Sequence, residues 1–512
     1  MLHWFRCDNL YSFRDDKFKT ISDGSEENGD SSNRSDGNVI QMKARNDSEI
    51  NSSIIPLTRG QEKIWQVASL YGANASGKSN FIKALGSMFY NIAENRSDLK
   101  GERFIYDYNL KDSVVFCEIC FSLEDLEDVD SKTKGYTEYV YGYELITDEA
   151  GKANMISDEW LGSRKLGSED KFKIIFNRTK NENETSKWFP GNDSADFSAN
   201  KRLIDEFLEH VPENDRSKTP ILRLAGKVTP DTKPFYSIHA WFRKVRPAEY
   251  FMEEEQRWQI TSTAERILKD AEFKKSLLNF LQKFDKEGNI SDIDVDTKNE
   301  KYDLLVQREI QNFPKNDTEM ENDDFRFLWK SIKKESYGTQ KIAGLFRFFH
   351  DALLNGGLLI IDEFDTKLHP LVIRDLITML HDHKKNTKAQ LIFSAHSLSS
   401  LDSKYMHMDE VYFVTKLDKK SSVLRLDKKC FTKKELLAFK DSIKKLEDAG
   451  DTINAEDINK NHEKETNEYV DIYKRYASFA ELYLDHNRFG AIPQEVLTIR
   501  LSERNEHNGQ DT

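Results

Sequence analysis

An α/β fold, with a mixed sheet around one helix and an antiparallel part beside it, is predicted by three features of this sequence. An apolar strand, Val67–Tyr71, leads into a glycine-rich loop and then into a helical pattern. Further along, Leu358–Ile361 is an aliphatic run after two glycines, as in a strand buried on both faces of a parallel sheet. Residues 103–160 alternate between apolar and polar types, for example in Tyr139–Ile146, which is typical of antiparallel strands.

The loop from Gly72 to Ser79 carries a complete phosphate-binding motif, G-x-x-x-x-G-K-S, between a strand and a helix. Its backbone N–H groups can wrap a β-phosphate at the positive end of the helix. Lys78 then reaches the β- and γ-phosphates, and the Ser79 hydroxyl is a ligand of Mg²⁺. A chance match in a glycine-rich turn is the alternative, and the full strand–loop–helix context weighs against it. The predicted nucleotide contacts are Gly72, Ala73, Asn74, Ala75, Ser76, Gly77, Lys78, Ser79 and Asn80.

Two carboxylates follow the aliphatic strand that ends at Ile361. Asp362 at the strand end can hold the Mg²⁺ shell. Glu363 follows on the turn, where a carboxylate can orient and deprotonate an attacking water. An acidic pair before a helix can instead serve only the helix dipole. The phosphate loop upstream favours the catalytic interpretation, in which a nucleoside triphosphate is hydrolysed with Mg²⁺.

A helix is predicted to start just after Ser336, upstream of the acidic pair. Ser336 is a good N-cap, and apolar residues recur at helical spacing from Ile342 to Leu353. The glycines at 356 and 357 stop the helix. Taken alone, this pattern indicates only a well-capped helix. In the same way His396, after the apolar strand that begins at Gln390, is by itself a surface turn residue.

The order of these motifs resembles an ABC-type ATPase head of the chromosome-maintenance and DNA-repair branch. Their variants resemble the abortive-infection ATPases of bacteria, relatives of the overcoming-lysogenisation-defect nucleases. The variants are the Asn-containing phosphate loop, Glu335-Ser-Tyr-Gly-Thr, Asp362-Glu-Phe-Asp, the late Arg488–Pro493 and the opening Leu2–Phe13.

This resemblance implies further roles. His396 contacts the γ-phosphate, and Asp365 makes a dimer contact. Ser336, Gly338 and Thr339 form a signature that completes the γ-phosphate site of a second subunit. In one place the chain departs from the family pattern, because residues 104–116 contain no glutamine to bridge Mg²⁺ and the insertion.

The motifs divide the chain into parts. Residues 1–160 form the N-terminal part of the head, in which the polar stretch 22–53 is expected to be a loop or a disordered insertion. Residues 161–290 are expected to be a mostly helical inserted arm. No heptad pattern in them continues over the three or four repeats that a long coiled coil requires, so a chromosome-scale rod is not expected. Residues 291–500 complete the head, and 501–512 form a flexible tail.

The composition indicates a cytoplasmic protein. Net charge is −13, and neither a signal-peptide pattern nor a bilayer-spanning apolar run is present. Two function classes remain open. One is the ATPase subunit of an anti-phage complex that forms a head-to-head homodimer, senses a phage-derived trigger and controls a separate effector such as a Toprim nuclease. The other is a DNA-processing or repair ATPase that acts on nucleic acid directly. The related nucleases carry a Toprim fold after the head, with a strand-end Glu followed by Asp-x-Asp to hold metal ions. The first class is favoured, because no such pattern appears after His396.

Overall fold

The computed structural model describes most of the first 426 residues. The described residues are 1–15, 38–44, 54–56, 63–94, 98–104, 106, 114–125, 135–181, 184–188, 202–206, 208–224, 234–248, 253–285, 290–297, 302–310, 327–382, 386, 388–398, 401 and 405–426. No helix within these ranges is long and apolar enough to cross a membrane.

The elements are numbered in chain order. The strands are β1 (Leu2–Asp8), β2 (Asn38–Gln41), β3 (Ile54–Pro56), β4 (Lys63–Trp65), β5 (Val67–Tyr71), β6 (Val115–Glu124), β7 (Tyr136–Thr147), β8 (Ala153–Lys165), β9 (Lys173–Asn181), β10 (Glu184–Trp188), β11 (Arg246–Ala248), β12 (Ile290–Asp296), β13 (Asp303–Glu309), β14 (Phe327–Ser331), β15 (Gly357–Ile361), β16 (Ala389–Ser394), β17 (Val411–Leu417) and β18 (Lys420–Arg425). The helices are α1 (Lys78–Ala93), α2 (Glu213–Arg216), α3 (Ile221–Leu224), α4 (Phe235–Arg243), α5 (Glu253–Lys269), α6 (Ala271–Phe284), α7 (Tyr337–Asn355) and α8 (Pro370–His381).

A six-stranded sheet forms the centre of the molecule, in the order β11-β15-β16-β5-β17-β18. Its first five strands run parallel, and β18 runs antiparallel as a hairpin with β17. Every residue of β5 is buried, as expected for a strand that is covered on both faces. The strands predicted at Val67–Tyr71 and Leu358–Ile361 are thus confirmed, and only β16 separates them in the sheet.

A seven-stranded antiparallel sheet, in the order β10-β9-β8-β7-β6-β1-β2, lies over one face of the central sheet. Neighbouring residues of β15 point to opposite faces and into two different cores. Leu358 and Ile360 pack with α1 residues such as Phe81 and with the antiparallel sheet. Leu359 and Ile361 pack with α5 to α8. Consequently α1 and α7 lie on opposite faces of the central sheet. This arrangement confirms the predicted α/β fold, a mixed sheet around the phosphate-loop helix with an antiparallel part.

The predicted arm at 161–290 differs from the structure in its first half. Residue 161 falls inside β8, and β9 and β10 extend the antiparallel sheet as far as Trp188. Ile221 and Phe242 then lie in the same core as α1, and β11 pairs with β15. Register shifts in the pairing of β7 with β8 and of β8 with β9 interrupt the alternation of inward and outward residues, so the sequence shows no clear strand pattern here.

The predicted polar insertion at 22–53 also contains regular structure. Its residues Asn38–Gln41 form β2, because Ile40 is fully buried and pairs with Phe5 of β1. The remainder of the insertion, apart from 42–44, lies outside the described residues, as do 427–512 with the predicted tail.

Candidate functional site

Three neighbouring parallel strands end at one edge of the central sheet, and predicted site residues follow each of them. β5 leads into the phosphate loop, β15 into Asp362 and β16 into His396. The register pairs Ile361 with Phe393, and Ser394 with Leu70. Because the carboxyl ends of parallel strands meet at one edge, segments far apart in the chain are brought together here.

Glycine is required at both ends of the phosphate loop. Gly72 has φ 153° and Gly77 has φ 118°, backbone conformations that residues with a side chain rarely adopt. A Cβ on Gly72 would lie 2.3 Å from the backbone oxygen of Val414. A Cβ on Gly77 would lie 2.5 Å from Ser421 Oγ. The two glycines therefore allow the loop to pack directly against the β17–β18 hairpin.

The loop ends at an uncapped helix N-terminus. Gly77 is the N-cap of α1 and makes no side-chain capping hydrogen bond, and the first turn contains no acidic residue. The first N–H groups of α1 and its positive end are therefore available to an anion. Asn74 and Ala75 are exposed on the loop, whereas Ser76 is buried.

Lys78 folds back over the loop that precedes it. Its Nζ donates to the backbone oxygens of Gly72 at 2.8 Å and Ala73 at 3.1 Å. Burial lowers the pKa of Lys78, and the nearby negative charges, that of Asp362 foremost, oppose this shift. The loop lysine and the acidic pair after β15 consequently belong to one electrostatic site.

The carboxylate of Asp362 is buried, and within the described residues only one of its two oxygens accepts hydrogen bonds. Its Oδ1 accepts hydrogen bonds from Ser394 Oγ and from the Glu363 N–H, the latter at 3.1 Å. Its Oδ2 is buried and has no hydrogen-bond partner among the described residues. Buried carboxylate oxygens normally have a partner, and hard divalent cations prefer such oxygens. Asp362 therefore fits a Mg²⁺ ligand, and the half-buried Ser79 stands on the first turn of α1 as the second predicted ligand.

Glu363 sits on a strained turn with its carboxylate partly open to solvent. Its φ is 47°, in the left-handed region, which costs free energy for a residue with a side chain. Its N–H donates to Ser394 Oγ at 2.8 Å. Its Oε1 lies 3.6 Å from Nε2 of His396, and 27% of its side chain is exposed. Water can therefore reach this carboxylate beside the histidine.

Asp365, which is predicted to make a dimer contact, is bound within its own chain through one of its two carboxylate oxygens. Only 8% of the residue is exposed, and its Oδ2 accepts from the N–H groups of His396, at 2.9 Å, and Ser397. These two N–H groups lie in the turn after β16, and the carboxylate of Asp365 accepts from both. Asp365 thus supports the loop that presents His396.

The predicted signature lies at the start of α7. Ser336 is the N-cap, and its Oγ accepts from the Thr339 N–H at 3.1 Å, which confirms the predicted cap. A Cβ on Gly338 would lie 2.8 Å from the backbone oxygen of Lys367. The signature therefore contacts the turn that follows Glu363 in the same chain. It stands on the opposite face of the sheet from α1.

The sequence interpretation missed two serines, Ser12 and Ser421, that support the phosphate loop. Ser421 Oγ donates to the Ser76 backbone oxygen at 2.6 Å and lies 2.9 Å from Ser12 Oγ. Asn80 Nδ2 donates to Ser12 Oγ at 2.9 Å. No motif marks serines in a turn and in a hairpin, so only their proximity in the fold identifies them.

Two further support residues were also missed. Ser394 binds Asp362 and Glu363 together, and Lys341 of α7 contacts the turn that carries Glu363. Both occur inside segments that were recognised as motifs, yet neither holds a motif position. Most of 104–116 and all of Arg488–Pro493 lie outside the described residues.

A protein-family model matches residues 145–402, and its description reads "AAA domain, putative AbiEii toxin, Type IV TA system". The match spans just over half of the 512 residues. It includes Ser336, the acidic pair at 362 and 363, and His396, whereas the phosphate loop precedes it.

Similar solved structures are head domains of SMC proteins. The SmcHead bound to the C-winged helix domain of ScpA has 13% identity and a TM-score of 0.34, over 84% of this chain and 99% of that chain. The SMC head domain from Thermotoga maritima has 12% identity and a TM-score of 0.33, over 83% and 99%. An Smc head domain with an extended coiled coil, bound to the C-terminal domain of ScpA derived from Pyrococcus furiosus, has 13% identity and a TM-score of 0.33, over 88% and 99%. No curated protein sequence matches the chain.

Proposed function

This chain belongs to the AAA-domain family whose description names the AbiEii toxin and type IV toxin–antitoxin systems, and from this premise we propose that it binds and hydrolyses ATP at the carboxyl edge of its central sheet. One observation carries the proposal. The phosphate loop with Lys78, the buried Asp362, and the Glu363–His396 pair all follow adjacent parallel strands that end at this edge.

Each residue of the site has a separate role in ATP hydrolysis. The loop N–H groups and Lys78 hold the β- and γ-phosphates, so that Lys78 exchanges its contacts with Gly72 and Ala73 for phosphate oxygens. When bound by Ser79 and Asp362, Mg²⁺ supplies positive charge to the phosphates. Glu363 accepts a proton from the attacking water, and His396 contacts the γ-phosphate beside it.

The proposal includes a composite site between two copies of the chain. Ser336, Gly338 and Thr339 lie at the N-terminus of α7, whose first N–H groups can bind a γ-phosphate. In one chain α7 and α1 lie on opposite faces of the sheet. We therefore assign the signature to the nucleotide of a second copy, in a head-to-head dimer with two ATP molecules at its interface.

In the cell, we propose that the chain is the regulatory ATPase of an anti-phage system in the cytoplasm. A head pair gated by ATP has two arrangements, and a phage-derived trigger that binds one of them better shifts the population. That shift releases a separate effector, for which a Toprim nuclease is the candidate. The toxin–antitoxin description of the family supports a two-gene arrangement.

Turnover of ATP by the purified full-length chain tests the biochemical part of the proposal. Phosphate release is expected with Mg²⁺ and is expected to stop when EDTA removes the metal, because Asp362 and Ser79 need the cation to act on the phosphates. Turnover that is unchanged in EDTA would contradict the assignment of these two residues.

Phage challenge tests the biological part. Cells that express the chain together with its genomic neighbour are expected to be protected, and cells that express the chain alone are not. Full protection by the chain alone would contradict the two-component proposal. Metal-dependent DNA cleavage by the purified chain would contradict it too, in favour of a DNA-processing ATPase.

A further inference from the structure

Lys341 is a buried lysine on the first turns of α7, and it is separate from the nucleotide contacts assigned above. Its Nζ donates to three backbone oxygens of one turn: Glu363 at 2.8 Å, Phe364 at 3.1 Å and Thr366 at 3.0 Å. Only 1% of the residue is exposed. Its ammonium group therefore bonds the turn that carries Glu363.

Burying an ammonium group is costly unless its protons find acceptors. Here burial lowers the pKa of Lys341 to about 8, and the charges of Asp365 and Glu363 counter that effect. An ammonium group has three N–H donors, and three carbonyl oxygens lie within hydrogen-bond distance. The site accordingly matches the geometry of a lysine rather than that of any apolar residue of similar length.

The turn that Lys341 binds is one that needs support. Glu363 has φ 47° and Lys367 has φ 63°, so two residues with side chains stand in the left-handed region within five positions. Such conformations persist only where the surroundings hold them. The far end of the same turn is tightly packed as well, because a Cβ on Gly338 would meet the Lys367 backbone oxygen at 2.8 Å.

We propose that Lys341 is the positioning residue for the catalytic base: its ammonium group holds the Glu363 turn in the strained conformation that presents the carboxylate beside His396. This inference rests on the proposed role of Glu363 in hydrolysis. It also gives the signature helix a direct link to the base, because Lys341 lies five residues after Ser336. A displacement of α7 is transmitted to Glu363 through these three hydrogen bonds.

Lys341→Met tests the proposal, since it keeps the length of the side chain and removes all three donors. The expected result is a kcat lowered about tenfold or more, because small displacements of a catalytic group have large effects on rate. The Kd for ATP is expected to stay within about threefold of the wild type, because the three hydrogen bonds that Lys341 loses go to the Glu363 turn. Arg347→Met is the matched control, since Arg347 on the same helix donates to the Ser262 backbone oxygen at 3.0 Å and not to the turn.

Hydrogen exchange of residues 362–368 provides a readout that does not need turnover. Lys341→Met is expected to accelerate exchange in this segment, while Arg347→Met leaves it unchanged. Unchanged exchange in Lys341→Met, or accelerated exchange with an unchanged kcat, would overturn the proposal. If Lys341→Met does not fold, Lys341→Gln, which keeps an amide donor, is measured instead.

The two ways of failing are distinguishable. If the wild type does not hydrolyse ATP, the proposed function fails, and the exchange of residues 362–368 still decides whether Lys341 holds the turn. If the wild type hydrolyses ATP and Glu363→Gln does not, a fully active Lys341→Met removes only the positioning role.

Discussion

Asp362 and Glu363 are adjacent carboxylates with different surroundings. Asp362 is buried and bound by Ser394, whereas more than a quarter of the Glu363 side chain is exposed. A buried oxygen without a partner suits a metal ligand, and a carboxylate open to water suits a general base. The sequence placed both residues after a buried strand. It did not reveal Ser394, because the bond depends on β15 and β16 being neighbours in the sheet.

Ser394→Ala removes the one hydroxyl that is hydrogen-bonded to both Asp362 and Glu363. We expect a roughly tenfold lower kcat and a higher Mg²⁺ requirement, because Asp362 loses a donor and the Glu363 N–H loses an acceptor, each worth about 1 kcal/mol. Titration of turnover with Mg²⁺ measures both effects. Ser69→Ala is the control, since this buried serine donates to the Glu410 backbone oxygen at 3.0 Å. An equal Mg²⁺ requirement in the two variants would contradict the role of Ser394.

Lys78→Ala is expected to weaken ATP binding about tenfold to a hundredfold, the effect of losing hydrogen bonds from a charged group to phosphate. Equilibrium binding of a fluorescent ATP analogue provides the measurement. Lys83→Ala on the exposed side of α1 is the matched control. Equal affinity in both variants would remove Lys78 from the site.

At the level of elements, the best-predicted parts are those with a local signal. The strand β5, the loop and α1 carry a motif, and β15 is a continuous aliphatic run. β9 has no such signal, because its charged residues, Lys173, Arg178 and Lys180, follow no regular spacing. The contact between the phosphate loop and the β17–β18 hairpin could not be predicted, since Ser76 and Ser421 are 345 positions apart.

Gly77→Ala tests the packing of the loop against the hairpin. The added methyl would meet Ser421 Oγ at 2.5 Å at a φ of 118°, so we expect the loop to shift and ATP affinity to fall about tenfold. Gly101→Ala is the matched control, because its φ of 144° is also rare for a residue with a side chain but the nearest atom lies 3.6 Å away. Isothermal titration with ATP compares the two. A larger loss of affinity in Gly101→Ala would contradict the specific role of the hairpin.

At the scale of the whole molecule, the two cores separate the phosphate loop from the signature. α1 packs between the two sheets, and α7 packs on the outer face with α5, α6 and α8. The sequence could predict both helices from their own patterns. Their placement on opposite faces follows from the alternation in β15 together with the order of the strands, which no local pattern reveals.

Ser336→Arg tests the composite site that this separation suggests. The large cation at the N-terminus of α7 is expected to prevent ATP-dependent dimerisation and to lower turnover, while each chain still binds ATP. Light scattering with and without ATP measures the mass. Ser168→Arg, in the turn between β8 and β9, is the control that adds the same charge elsewhere. Normal hydrolysis and an ATP-dependent dimer in Ser336→Arg would contradict the composite site.

Glu363 is proposed to act as the base in ATP hydrolysis at this edge of the sheet, and single-turnover hydrolysis of bound ATP by Glu363→Gln measures that role. We expect a rate at least about a hundredfold below that of the wild type, with an ATP Kd within about threefold, because the amide cannot accept the proton while the phosphate contacts remain. A Glu363→Gln rate equal to that of the wild type would exclude Glu363 as the base.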